Sequence, residues 1–464
     1  MRIHLIAIGG AAMHNLALAL AQNGHHVTGS DDEIYNPAAD RLAKFGLLPP
    51  AFGWYPEKIT TNIEAIILGM HAKADNPELL AAQKLGLKIY SYPEYIYLHA
   101  KNKTRIVIAG SHGKTTTTSM IMHVLKNLNI HFDYLVGALL EGFDTMVHLS
   151  DAPIMVIEGD EYLSSPIDRQ PKILHYHPNI AVITGIAWDH INVFPTFEIY
   201  VEQFAKFIQT ISTQISQPKT QNGVLIYYAP DPTLSTLANT NPQCKTIPYT
   251  AFPSKKTKNK TILITDQNKA IPLQVFGAHN LANLKAAYLV CKQINIPDID
   301  FFSAIQSFTG AAKRLQTLAQ TKNAVAFLDF AHAPSKVKAT VEALKTQFPR
   351  RHLVACLELH TFSSLSKQFL SEYKNTMEKA DTAIIYFNEH TLTMKNMPPI
   401  AKEEITQAFS HPNLKVFTEN TQLTQCLQSI QFKRTNLALM TSGTFDGLNL
   451  KELANSLLTP LSVI

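Results

Sequence analysis

The segment Gly110-Ser111-His112-Gly113-Lys114-Thr115-Thr116-Thr117 constrains the fold of this chain more than any other. An apolar run, Arg105–Ala109, precedes it, and the residues from Thr116 to Leu125 read as a helix. A loop of this composition lets backbone N–H groups approach an oxyanion. It also offers a lysine for the β/γ-phosphate charge and a hydroxyl for Mg²⁺. Gly110, Ser111, His112, Gly113, Lys114, Thr115 and Thr116 are therefore expected to bind ATP. The general GxxxxGK[ST] spacing would put the first glycine at position 108, which is Ile108, so this is a shorter variant of the loop. The plainer alternative is a glycine-containing strand–helix turn with an accidental lysine. Four consecutive threonines opening the helix weigh against it.

Such a loop belongs at the C-terminal edge of a parallel sheet, and the rest of the chain has the matching rhythm. Arg2–Ile8 reads as a strand, Met13–Asn23 as a helix and His26–Gly29 as a second strand. Ala38–Phe45 and Glu78–Leu85 read as helices, with strands at Ala65–Leu68 and Lys88–Tyr90. Lys101-Asn102-Lys103-Thr104 reads as a polar linker to a new α/β segment, with strands at Ile154–Ile157, Ile180–Thr184 and Val224–Tyr228. Helices are expected at Phe197–Ile211 and Leu281–Gln293, and a hinge at Gly310–Arg314. From Ala324 the alternation resumes, with strands at Val325–Leu328, His352–Leu357, Thr382–Phe387 and Asn436–Met440, and helices at Ser335–Gln347 and Ser366–Ala380. A chain of 464 residues suits two or three cores. The fold class expected is α/β with three domains, at 1–101, 102–311 and 312–464.

Charge and composition exclude several functions. Charged residues make up 17% of the chain and the net charge is only +5, which is no nucleic-acid signature. The densest basic run, Lys255–Lys260, lacks aromatics and reads as a solvated hairpin loop. Four scattered cysteines fit reduced thiols, and no run approaches the roughly 20 apolar residues of a membrane span. A cytoplasmic protein with neither nucleic-acid nor membrane partners is expected; the sequence leaves the oligomeric state open.

Carboxylates and histidines follow the later strands. Ile154–Ile157 delivers Glu158, Asp160 and Glu161 at a strand exit, where Glu158 could hold Mg²⁺; a solvated acidic loop is the alternative. Ile180–Thr184 leads to Asp189-His190, a helix cap or a metal ligand. In Gly277-Ala278-His279-Asn280-Leu281-Ala282-Asn283, Asn280 alone could be an N-cap. Asn280 and Asn283, three apart, share one helix face and could bind the donor–acceptor edge of adenine. Gly9-Gly10 followed by Asp31 suggests a dinucleotide fold, but the glycine fingerprint is incomplete.

Taken in order, these motifs, with Arg314 and Asp329-Phe330-Ala331-His332-Ala333-Pro334, resemble the Mur ligase family over essentially the whole chain. The resemblance implies a Rossmann-like N-terminal domain for a UDP-sugar, a central P-loop ATPase-type domain and a Rossmann-like C-terminal domain for an amine. It implies ATP and Mg²⁺, with Thr115, Glu158 and His190 as metal ligands and Lys114, Glu158 and His190 as catalytic. His279, Asn280, Asn283, Arg314, Asp329 and His332 would complete the nucleotide site, and Gly9, Gly10, Ser30 and Asp31 would line the UDP site.

The substrate implied is UDP-N-acetylmuramate, joined at its lactyl carboxylate to an amino acid or peptide. Gly29–Pro37, Asp160-Glu161-Tyr162 and Asp168–Lys172 with His175-Tyr176 resemble a member that attaches a ready-made tripeptide, L-alanyl-γ-D-glutamyl-meso-diaminopimelate. Leu357–Ser364 carries no arginine of the kind that would hold the carboxylate of free alanine, so the tripeptide is the expected amine and alanine the alternative. His360, Thr361 and Ser363 are the candidate peptide contacts. Two departures stand out. The N-terminal glycine motif is reduced to Gly9-Gly10, and the place of the carbamylated lysine found in some members is Ala205, beside Lys206.

Overall fold

The computed structural model describes residues 1–211, 223–240, 244–257 and 261–458. Packing divides the chain into two compact units. One takes Met1–Ile186, Phe197–Thr250 and Asn283–Ile305; the other takes Ala187–Thr196, Ala251–Ala282 and the chain from Gln306 onward.

The first unit holds two sheets. The N-terminal sheet has the strand order His26–Ser30, Arg2–Ile6, Ala65–Leu68, Ile89–Ser91, all parallel. The second sheet runs Lys245–Tyr249, Val224–Tyr228, Ile180–Ile183, Thr104–Ala109, Ile154–Glu158, Asp133–Leu135, Val147–His148, antiparallel only at its last pair. Its central strands Ile180–Ile183, Thr104–Ala109 and Ile154–Glu158 are almost wholly buried, and Ala65–Leu68 in the first sheet is likewise buried throughout. Thr104–Ala109 lies at the point where the strand order reverses, with Ile154–Glu158 on one side and Ile180–Ile183 on the other. That is where an open α/β sheet has a crevice at its C-terminal edge. The topology therefore places the Gly110 loop between the ends of two neighbouring strands.

The expected linker before this strand is exposed at Lys101 and Asn102, but its Lys103 is buried. Lys103 Nζ donates to the Asp133 carboxylate and to the Ser150 carbonyl. Arg105 is also buried, and its guanidinium donates to the carbonyls of Ala100, Lys101, Lys103, Tyr176 and His177. Those carbonyls include the frayed end of the helix Tyr92–Ala100, whose last C=O groups have no intrahelical partner. One side chain thus ties that helix to the central sheet.

The second unit is built on a six-stranded sheet in the order Gln316–Gln320, Val325–Asp329, Thr435–Met440, His352–Glu358, Thr382–Tyr386, Leu414–Phe417, antiparallel only at the first pair. One face packs under the helix Pro334–Gln347 through Val337, Val341 and Leu344, and the other packs against Leu423, Leu427 and Phe445. A small antiparallel sheet, Ser254–Lys256, Thr261–Ile264 and Ala270–Leu273, lies in the same unit.

Two expectations change. Ser366–Ala380 is not one helix: only a 3₁₀ turn at Leu370–Tyr373 forms, and Asn375 adopts φ 60°. Its periodic Phe369, Tyr373 and Met377 are core residues of an irregular segment, Tyr373 stacking on Phe409. Lys255 and Lys256, expected in a loop, lie on the edge strand Ser254–Lys256, where exposed lysines discourage strand pairing; 258–260 lie outside the described residues. The four cysteines are unpaired, two of them buried, and among the described residues no helix is long and apolar enough to cross a membrane.

Arg105→Met should cost about 3 kcal/mol or more, because it strands several buried carbonyls together. Urea unfolding of the two proteins checks this; an unchanged midpoint would contradict the role given to Arg105.

Candidate active site

The phosphate loop is shaped by what lies against its glycines. Gly110 has φ +120°, and a Cβ there would come within 2.4 Å of Thr184 Oγ1. Gly113 has φ +74°, and a Cβ would meet Asn283 Oδ1 at 2.2 Å. Both positions therefore demand glycine, for conformation and for space. The loop opens directly onto the helix Lys114–Asn127, whose first N–H groups have no intrahelical partner. Asn283 stands at the loop from the helix Ala278–Gln293, while Asn280 on that helix donates to the Phe276 carbonyl at 2.8 Å.

Carboxylates from the neighbouring strand converge on this loop. Lys114 Nζ donates to Gly110 O at 2.8 Å and to Glu161 Oε2 at 2.5 Å. Burial opposes the lysine's charge, but Glu161, Asp160 and Glu158 more than offset it and hold the ammonium above its ordinary pKa. Asp160 is likewise penalised by burial, yet Lys172 and Lys114 hold it well below the usual carboxylate range. Thr115 Oγ1 donates to Glu158 Oε1 at 2.7 Å, and the Gly137 N–H donates to Glu158 Oε2 at 2.8 Å. A buried carboxylate beside a hydroxyl at a helix N-terminus is an all-oxygen donor set, the chemistry that suits Mg²⁺.

At the N-terminal sheet, Gly9, Gly10, Ser30 and Asp31 come together at the ends of the two strands Arg2–Ile6 and His26–Ser30. Asp31 Oδ2 accepts the Gly9 N–H at 2.7 Å. Asp31 is buried, and that burial pushes its carboxyl up to about 6. Sequence reasoning missed the polar neighbours of this turn, His14, Asn15 and Arg41. The His14 ring lies 3.0 Å from Gly10 O through Nδ1, and its Nε2 faces Asn15 Nδ2 and Arg41 Nη1 at 2.9 and 3.3 Å. Two donors at Nε2 require neutral imidazole with the proton on Nδ1, in keeping with burial lowering its pKa.

In the second unit, Asp189 is buried with Lys336 Nζ at 3.2 Å and His332 Nε2 at 3.8 Å. Burial opposes its charge, but Lys336 and His332 hold the carboxylate well below its usual range. His190, next in the chain, has φ 55°, and its N–H donates to Asp189 Oδ1. Asp329 receives Leu315 N–H, Ala331 N–H and Thr340 Oγ1, so it shapes the turn at its strand's end. Arg314 stacks over the Phe330 ring, and His279, in which burial lowers the pKa, lies against Gly277. His360 is half-exposed with Nδ1 4.0 Å from Glu358 Oε1. Thr361 is engaged by Ser364 in a local turn, and Ser363 Oγ accepts the Ile191 N–H at 3.4 Å. Lys206 pairs with Glu202 one turn away.

Three successive segments match family models: 2–104 the Mur ligase family catalytic domain, 108–291 the Mur ligase middle domain, and 313–443 the Mur ligase glutamate ligase domain. The UDP-N-acetylmuramate–L-alanine ligase of Caldicellulosiruptor bescii is 30% identical over 421 residues, covering 86% of each chain. The chain belongs to the Mur ligase family. It is an ATP-dependent ligase of peptidoglycan synthesis with the three-domain α/β architecture of its relatives. Among solved structures, the UDP-N-acetylmuramate–alanine ligase of Thermotoga maritima superposes with TM-score 0.71 at 19% identity, covering 98% of both chains. The murein peptide ligase of Psychrobacter arcticus gives 0.66 at 22%, with the same coverage. At those identities the likeness extends to the fold of this Mur ligase alone. The similar sequences named here and others at 27–30% identity are alanine ligases, so these relatives favour the alternative amine over the tripeptide.

The raised Asp31 pKa fixes a sign. Its folded value of about 6 exceeds the unfolded 3.8, so the native state binds that proton more tightly. The stability this supplies is complete below the unfolded pKa and is lost as pH rises through about 6. Asp31→Asn should therefore melt above the native protein at pH 8, by an amount on the order of 2 kcal/mol, and the gap should close by about pH 4. Thermal melts at both pH values check it; a gap independent of pH would contradict it.

Proposed function

We propose that this Mur ligase joins L-alanine to the lactyl carboxylate of UDP-N-acetylmuramate, converting ATP to ADP and phosphate. The observation that carries the activation step is Lys114, fixed between Gly110 O and Glu161 at the mouth of a helix. The choice of alanine is supported by the names of the similar sequences. A carboxylate oxygen attacks the γ-phosphorus and ADP leaves, giving an acyl phosphate. The amine then adds to the acyl carbon, loses a proton, and phosphate departs with the original carboxylate oxygen. Phosphoryl transfer of this kind depends on positioning and charge neutralisation.

Lys114 would neutralise the terminal phosphates, with Gly110, Ser111, His112, Gly113 and Thr116 cradling them. Thr115 and Glu158 would hold Mg²⁺, and His190 a second ion; bound metal would supply further neutralisation of phosphate charge. Asn283, Asn280 and His279 would face adenine, and Arg314, Asp329 and His332 would serve the nucleotide from the C-terminal side. Gly9, Gly10, Ser30 and Asp31 would take the UDP-sugar. We assign the domains to 1–101, 102–311 and 312–464, and the protein to the cytoplasm, without nucleic-acid or membrane partners.

One observation favours a second reading. Leu357–Ser364 offers no arginine to a free α-carboxylate, and its His360 is half-exposed. That favours the tripeptide L-alanyl-γ-D-glutamyl-meso-diaminopimelate, with His360, Thr361 and Ser363 near it. Phosphate release with ATP, Mg²⁺ and UDP-N-acetylmuramate separates the two. Turnover is expected with L-alanine; turnover with the tripeptide alone would establish the second reading, and turnover with neither would overturn both.

Lys114→Ala should lower kcat/KM for ATP by about 10²–10³, since it removes a charge that faces the terminal phosphates both in bound ATP and during transfer. Near-native ligation by the folded variant would contradict the assignment of the loop.

A further inference from the structure

Tyr200 lies 86 residues beyond Lys114 in the chain, on the helix Phe197–Gln209, yet its hydroxyl reaches the phosphate loop. The side chain is fully buried, its ring edge-on to Phe204 with centroids 5.2 Å apart. Its hydroxyl lies 2.9 Å from Ser111 Oγ and donates to Glu161 Oε1 at 3.0 Å. The other oxygen of that carboxylate, Oε2, takes Lys114 Nζ at 2.5 Å. A continuous path therefore runs from the helix through Tyr200 and Glu161 to the lysine.

The path has a geometric consequence. An ammonium has three N–H donors. Gly110 O and Glu161 Oε2 take two of them, which fixes the direction of the third. That alignment holds only while the Glu161 carboxylate keeps its orientation, and the terminal torsion of a glutamate is soft. A hydrogen bond on Oε1 locks the carboxylate plane, and Tyr200 supplies it. The tyrosine hydroxyl is itself oriented by Ser111, a member of the loop, so the loop and the helix set one another.

We infer that Tyr200 is a positioning residue for the phosphate-loop lysine, acting through Glu161 to hold Lys114 toward the terminal phosphates of ATP. This rests on the reading of Gly110–Thr116 as the ATP site. Tyr200 touches none of the reacting atoms. A misaimed lysine weakens the phosphate contact in bound ATP and during transfer alike, so the loss falls on ATP affinity more than on kcat.

The test measures ATP binding by calorimetry with Mg²⁺, together with steady-state kinetics, for the native protein, Tyr200→Phe, Glu161→Gln and the double variant. Phenylalanine keeps the ring against Phe204, and thermal melts verify that each variant is folded at the assay temperature. Tyr200→Phe should weaken ATP binding and raise KM for ATP about three- to tenfold, with kcat within about twofold. Glu161→Gln should weaken binding further, and in that background Tyr200→Phe should add almost nothing, since both act through one contact. Unchanged ATP affinity in Tyr200→Phe, or additive losses in the double variant, would overturn the inference and leave the hydroxyl a packing role. Failure of the native protein to bind ATP is a separate result: it would overturn the phosphate-loop reading itself, and this inference with it.

Discussion

The Lys114 ammonium, half-buried and fixed between the Gly110 carbonyl and the Glu161 carboxylate, is the interaction around which the first unit is organised. A lysine drawn partly out of water is stabilised by a compensating charge, here supplied from the end of a neighbouring strand. The parallel order of the central sheet meets this need, because Thr104–Ala109 and Ile154–Glu158 run side by side and end together. Glycine at 110 and 113 follows from the same requirement, since Thr184 and Asn283 fill the space that side chains there would take.

Much of this was legible in the chain itself. The loop, the strand before it and the helix after it are contiguous, so local pattern is enough to find them. Glu158 was legible because a buried strand ending in carboxylates is unusual. Tyr200 and Lys336 were not, because each reaches its partner only through the tertiary fold and neither stands in a distinctive local pattern. Glu161 was visible as one acid among three, but nothing local distinguishes the partner of Lys114 from Asp160, which pairs with Lys172. Within the linker Lys101–Thr104, Lys103 misled for the opposite reason. Lysine looks solvated in sequence, and Lys101 and Asn102 beside it are exposed, whereas Lys103 is buried against Asp133. The segment 366–380 misled through its periodicity, which served core packing without a continuous helix.

The N-terminal sheet poses a different physical problem. An anionic UDP-sugar would approach a glycine turn whose Gly9 N–H is already taken by a carboxylate, Asp31, that burial disfavours as an anion. Neutral His14, held by Asn15 and Arg41, fixes the Gly10 carbonyl beside it. The reduced glycine motif is thus accompanied by a polar framework of Asp31, His14, Asn15 and Arg41. In the six-stranded sheet of the second unit, buried Glu358 accepts the Phe445 N–H at 3.0 Å and a hydrogen bond from Thr441.

The central claim is that the muramyl carboxylate is activated by phosphorylation at the Lys114 loop. Ligation with UDP-N-acetylmuramate labelled with ¹⁸O in its carboxylate measures this most directly. An acyl phosphate requires one labelled oxygen to appear in the inorganic phosphate at each turnover. Phosphate carrying only solvent or ATP oxygen would contradict the account.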